Sequence, residues 1–182
     1  MTLYPKDSKL TKIGIISDTH DDIVNVRKAV EIFRNYKIKY VVHAGDYVFP
    51  GIVKEFGNLK EAKFIGVFGN NDGEKLGLSK SFKEIGGELK GEFGELNIDG
   101  LKVGIYHGTN NELNESICSN NIYDVFICGH THKKRAETRG KTLILNPGTT
   151  HQDFPNIDGQ IEKDPNVIIF ETDTKHHEFV RL

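Results

Sequence analysis

The sequence predicts an α/β fold, a four-layer α/β/β/α sandwich of two mixed sheets with flanking helices. Three observations predict it. The chain opens on a β-α-β-α-β alternation, which calls for parallel strands and right-handed crossovers. Helical periodicity crowds the first two-thirds, and strand-like runs fill the last third. An Asp99-Gly100 pair separates two strand-like runs, a two-residue hairpin signal.

Residues 1–11 are polar and read as a loose lead-in. Residues 12–17 are a short β-branched run, read as a buried strand. Asp21 and Asp22 can cap the helix that follows. In that helix Val26, Ala29, Val30 and Phe33 recur at i, i+3, i+4 and i+7, a one-sided apolar stripe. Residues 40–44 and 63–68 are the second and third strands, with a short helix over 52–56 between them. Residues 92–98 and 101–106 are the hairpin arms, and a helical stretch near 112–119 leads to a strand over 123–128. Further strands are expected over 136–139, 142–145, 167–172 and 178–182. Residues 153–165 are polar, contain two prolines and read as a surface loop.

At 182 residues the chain suits a single domain spanning 1–182. Leu, Ile, Val and Phe make up about 30% of it, above the roughly 20% below which chains tend to stay disordered. Charge nearly cancels, 24 basic against 26 acidic residues. That balance argues against a nucleic-acid track bound through bulk charge. No apolar stretch approaches the roughly 18 residues that span a bilayer, and the N-terminus carries no apolar signal region. Cys118 and Cys128 form no CxxC pair and read as reduced thiols of a cytoplasmic protein.

The chemistry lies just after the strands. Ser17-Asp18-Thr19-His20 follows the first, Gly45-Asp46 the second and Gly69-Asn70-Asn71-Asp72 the third. His107-Gly108 and Gly129-His130-Thr131-His132 follow two later strands. Sites in open α/β sheets form at the carboxyl ends of strands, so these residues are expected to converge on one edge. If the loops stay extended, i and i+2 point the same way, which pairs Asp18 with His20 and aligns His130 with His132. Two Asp, one Asn and four His with no thiolate suit Mn, Fe, Co, Ni or Zn rather than Ca. Seven donors exceed one tetrahedral ion and suit two ions sharing a carboxylate.

These motifs, in this order, resemble the calcineurin-like metallophosphoesterases. Together with Asn146-Pro147-Gly148-Thr149 and the short length, they are most similar to the small, cap-less YfcE-type phosphodiesterases. That family's fold is the sandwich reached above. The resemblance implies that Asp18, His20 and His132 bind one ion, that Asn70, His107 and His130 bind a second, and that Asp46 bridges both. It implies a water shared by two divalent ions as the nucleophile on a small or exposed phosphodiester, with Asp46, Asn70, Asn71 and His107 at the reacting centre. Manganese is the expected ion; nickel, iron, cobalt and zinc also fit. Many relatives carry His after the ligand Asn as a proton donor to the leaving oxygen, whereas this chain has Asn71. The same fold also serves a retromer scaffold subunit, and the superfamily contains nucleases and phosphomonoesterases.

Other residues carry both a plain and a functional reading. His43 is a satisfied core histidine or a group that orients the site. Asp72 holds its loop or the site, and His151 is a surface histidine or reaches the centre. His176 and His177 read as solvated. Lys133-Lys134-Arg135 is a solvated face or a cationic guide for anionic substrates. Edge strands at the C-terminus offer a route to a homodimer.

Overall fold

Neighbouring side chains of a strand face opposite ways, and here that alternation separates three apolar layers. The computed structural model describes residues 11–161 and 163–182, so the expected lead-in lies outside them apart from Thr11. In chain order the elements are β1 (Lys12–Ile16), α1 (Ile23–Asn35), β2 (Tyr40–His43), α2 (Pro50–Phe56), β3 (Lys63–Gly66), α3 (Lys75–Glu84), β4 (Glu88–Leu89) and β5 (Phe93–Ile98). They continue with β6 (Leu101–Tyr106), α4 (Asn111–Ser119), β7 (Val125–Ile127), β8 (Lys134–Arg139), β9 (Thr142–Pro147), β10 (Asn166–Glu171) and β11 (His177–Arg181).

One sheet runs β11-β10-β1-β2-β3-β4 and the other β5-β6-β7-β9-β8. Both are mixed. β1, β2, β3 and β4 run parallel, and β10 joins β1 antiparallel. In the second sheet β6, β7 and β9 run parallel, with β5 and β8 antiparallel at the edges.

The alternation assigns each face. Ile13 and Ile15 of β1 meet Val103, Ile105, Ile127 and Leu145 of the second sheet, forming the layer between the sheets. Ile16, Val41 and Phe64 face the other way, under Val26, Phe33, Ile52, Phe56, Leu78 and Phe82 of the first three helices. Phe126 and Ile144 pack outward beneath Cys118 of α4. Helix, sheet, sheet and helix are thus the four layers expected.

Local chemistry explains the ends. Asp22 caps α1 by accepting from the Asn25 amide at 3.0 Å. Asp99 and Gly100 both take positive φ, 52° and 86°, as the hairpin between β5 and β6 demands. Two elements carry no periodic signal in the sequence. α3 presents only Leu78, Ser81 and Phe82 inward, too sparse a stripe to read as a helix. β4 is two residues long and is defined by pairing with β3 rather than by its own composition. β8 begins at Lys134, earlier than residue 136, because its edge alternates charged residues instead of apolar ones.

Candidate metal centre

The carboxyl ends of β1, β2, β3, β6 and β7 meet at one edge of the sandwich. The loops leaving them are not extended, which corrects the i, i+2 argument. Asp18, His20 and Asp46 take φ of 53°, 39° and 61°, and His130 and His132 take 67° and 56°. Left-handed turns, rather than strand alternation, aim these side chains inward.

Close approach of the loops depends on two glycines. A Cβ on Gly69 would lie 2.1 Å from Asp46 Oδ1, and one on Gly129 would lie 2.0 Å from Ser17 Oγ. Any side chain at either position would push the loops apart.

Asp18, His20 and His132 offer ligand atoms that all lie within 4.8 Å of one another, and so do Asp18, Asp46 and His107. His132 Nε2 is 3.2 Å from Asp18 Oδ1, and His107 Nε2 is 3.2 Å from Asp46 Oδ2. Asp46 Oδ2 is also 3.7 Å from His20 Nε2, so this one oxygen reaches a histidine of each group. His107 Nε2 lies 3.1 Å from Asn70 Oδ1, which brings the exposed Asn70 to the second group. His130 packs edge-on against His107, its ring centre 5.2 Å away, and its amide donates to Asp18 at 3.0 Å. Its side chain is in neither compact group.

The histidine tautomers are fixed from behind. The Ala44 carbonyl accepts from His107 Nδ1 at 2.8 Å, and the Pro155 carbonyl from His132 Nδ1 at 2.8 Å. Each Nε2 then turns toward a carboxylate oxygen. Two lone pairs at 3.2 Å repel unless a cation or a proton lies between them. The donor set therefore fits divalent ions, with backbone carbonyls orienting the ligands as such sites require.

The electrostatics agree. Burial pushes Asp18 up, but the imidazoles of His107, His132 and His20 outweigh it and hold the carboxyl well below the usual range. Burial also opposes ionisation of Asp46, yet His107 and the Asn71 amide keep its pKa low. Burial pushes His107 down, but the two aspartates raise it to about 9 without metal. A proton fills the place of a cation there.

The neighbouring residues resolve into roles. Asp72 accepts from the backbone N–H groups of Asp46, Tyr47, Val48 and Gly69 at 2.7–3.0 Å, so it holds its loop. His43 accepts from Gly45 N at 3.1 Å and faces Thr19 Oγ1 at 3.3 Å; burial lowers its pKa to about 3, so it braces the site as a neutral ring. Asn71 gives both its backbone and side-chain N–H to Asp46, at 2.8 and 2.7 Å. Asn146 holds the Gly129 carbonyl at 2.8 Å, and Thr149 holds that of Asp18 at 2.8 Å. His151 bonds its own loop at the Gln152 carbonyl, and His176 and His177 flank the β10–β11 turn.

The basic run departs from the guiding role. Lys133 pairs with Asp158, and Arg135 with Glu115 and Glu137, so two of its three charges are already answered. Alternation along the β8 edge sends Lys134 and Arg135 to opposite faces, with Lys134 exposed and Arg135 half-buried.

Phe154 had no signal in the sequence. It stacks on His20 with ring centres 4.4 Å apart and 14° between planes, and meets His132 edge-on at 5.1 Å. A cavity of about 300 Å³ opens beside Asn70, walled by Phe68, Tyr106, Lys75 and Thr109.

A family model, the calcineurin-like phosphoesterase superfamily domain, matches residues 11–175. A protein of Methanocaldococcus jannaschii named as a phosphodiesterase is 38% identical over 172 residues, 94% of this chain and 99% of its own. A solved structure described as a novel archaeal phosphodiesterase superposes with TM-score 0.84 at 38% identity, covering 94% of this chain and all of that one. YfcE, a phosphoesterase from E. coli, shares the fold at TM-score 0.60 and 16% identity, over 94% of this chain and 98% of its own.

Proposed function

The chain belongs to the calcineurin-like phosphoesterase superfamily, in its small, cap-less branch, and on that premise we propose that it is a phosphodiesterase working with two divalent transition-metal ions. One observation carries the reading: two imidazoles locked from behind by carbonyls, each facing a carboxylate oxygen at 3.2 Å. We assign Asp18, His20 and His132 to one ion, Asn70, His107 and His130 to the other, and Asp46 to both. Ions held by these residues would supply a lowered pKa to a bound water and positive charge to offset that on phosphoryl oxygens. Manganese is the proposed ion.

The chain's own residues set the leaving-group preference. At position 71 an amide stands where a proton donor would serve, and it already bonds Asp46. Asp72 and His43, the neighbouring groups that could replace it, are engaged by backbone and Thr19. That leaves a metal-bound water as the remaining proton donor, so the side-chain general-acid assistance worth about 10²–10⁴-fold is absent from position 71. Diesters with phenolate-like leaving groups are favoured over those that expel an alkoxide. The cavity beside Asn70 takes one ester substituent of a small diester; it is a pocket rather than a track.

Among the described residues no helix is long and apolar enough to cross a membrane. Cys118 and Cys128 are buried and free, which suits the reducing cytoplasm. β11, an edge strand at the C-terminus, supplies the surface for a homodimer.

The test is hydrolysis by metal-reconstituted protein across phosphomonoesters, aryl and alkyl phosphodiesters and cyclic nucleotides. Chelator should abolish activity and Mn²⁺ restore it. Rates should fall steeply as leaving-group pKa rises, and Asn71→His should flatten the slope. Inertness toward every diester, or a stable phosphoryl-enzyme, contradicts the reading.

A further inference from the structure

The two ligand groups are supported unequally. His107 is oriented by Ala44, directly after core strand β2, and is fully enclosed. His20 and His132 instead lean on the segment after β9. Phe154 lies flat on the His20 ring and edge-on to His132, and the next residue, Pro155, accepts from His132 Nδ1. That segment is pinned to the histidine loop a second time, since the Ile157 amide donates to the Thr131 carbonyl at 3.1 Å. The ion pair of Lys133 with Asp158 fastens it a third time. Asn156, buried between these anchors, accepts from the amides of Asp158 and Gln160 at 3.0 Å and keeps the turn closed.

We infer that Phe154 and Pro155 are positioning residues that set the metal affinity of the Asp18, His20 and His132 group independently of the other group. This extends the proposed function, because it says which of the two ions this loop controls. The physical reason is rotamer freedom. His20 Nε2 lies 3.1 Å from His132 Nε2, so neither ring holds the other by a hydrogen bond once both offer lone pairs to a cation. A flat aromatic face on one ring and a carbonyl behind the other are what keep them convergent. Outer partners of ligating histidines typically contribute 10–100-fold in metal affinity.

The experiment is calorimetric titration of metal-free protein with Mn²⁺, alongside the visible spectrum of the Co²⁺-loaded form. Phe154→Ala should weaken one of the two ions by about 10–100-fold and shift the Co²⁺ bands of that ion, with the other ion held within about twofold. Phe154→Tyr, which keeps the ring, should restore affinity, and Phe154→Leu should not. Loss at both ions together, no loss at either, or rescue by leucine equal to that by tyrosine overturns the inference. Where Phe154→Ala does not fold, the tyrosine–leucine contrast still decides it. Because the readout is binding, the result stands apart from diester hydrolysis: a protein that binds two ions in this pattern yet cleaves no diester sinks only the proposed function.

Discussion

His107 takes its orientation from the end of a core strand, whereas His132 takes its from a surface loop. The same bond, Nδ1–H to a backbone carbonyl at 2.8 Å, appears in both places. What differs is the stiffness behind the carbonyl. Ala44 follows β2, paired on both sides by β1 and β3, and cannot move without disturbing the sheet. Pro155 sits in a loop tied by one isolated bridge, Pro155 to Ile161, by the Ile157 amide on the Thr131 carbonyl and by side-chain anchors. One histidine is thus held by the sheet and the other by a surface loop.

The strongest break in that comparison is Asp46, whose oxygen reaches a histidine of each group. Asp46→Asn should lower turnover by at least about 10³-fold and weaken both ions together. Retention of two tight ions and native rate would show that Asp46 is not shared. Asp72 sharpens the core side. It alone answers four backbone N–H groups, so Asp72→Ala should cost about 3 kcal/mol in denaturant unfolding. Phe154→Ala, on the loop side, should cost far less stability, because the ring covers a rim rather than a core.

A pH series reads the core-held histidine together with His132, whose pKa Asp18 also raises, and the His107 variant separates the two. In metal-free protein the folded His107 has a pKa near 9, above the ordinary imidazole value of 6.5. Its contribution to stability is therefore complete below about pH 6.5 and is lost as pH rises through about 9. Denaturation midpoints in chelator should fall across that window, and His107→Gln should flatten the fall. Metal affinity should move the opposite way, rising with pH as the proton leaves. The smallest effect is expected from Lys133→Ala. Breaking its exposed pair with Asp158 should weaken the loop-held ion only about two- to fivefold, measured in the same calorimeter.

The ligands of both sides were legible in the sequence, and the carbonyls that orient them, Ala44 and Pro155, were not. Strand ends carrying Asp, Asn or His beside Gly announce themselves by residue type, and all of Asp18, His20, Asp46, Asn70, His107, His130 and His132 reach one edge of the sandwich. The β-branched runs marked the strands because burial on both faces leaves little room for polar residues. The support at Pro155 is a backbone carbonyl, which every residue carries and no sequence distinguishes. Phe154 lay in a polar stretch where one aromatic gives no period. The route by which Asp18 and His20 converge was misread for a related reason: φ is a property of the folded loop, and Asp or His at positive φ looks like any other.

Those left-handed residues have a consequence for the lifetime of the molecule. Asp18, His20, Asp46, His130 and His132, together with the β-branched Val48 at φ 67°, each hold a backbone shape that costs on the order of 1–2 kcal/mol. Ions bound at the edge would offset that cost, so metal-free protein is expected to open there first. Its loops after β1, β2 and β7 become the places where a protease enters, and limited digestion with and without Mn²⁺ would reveal cuts confined to them. Resistance to protease would then serve as a readout of metal occupancy that is separate from catalysis.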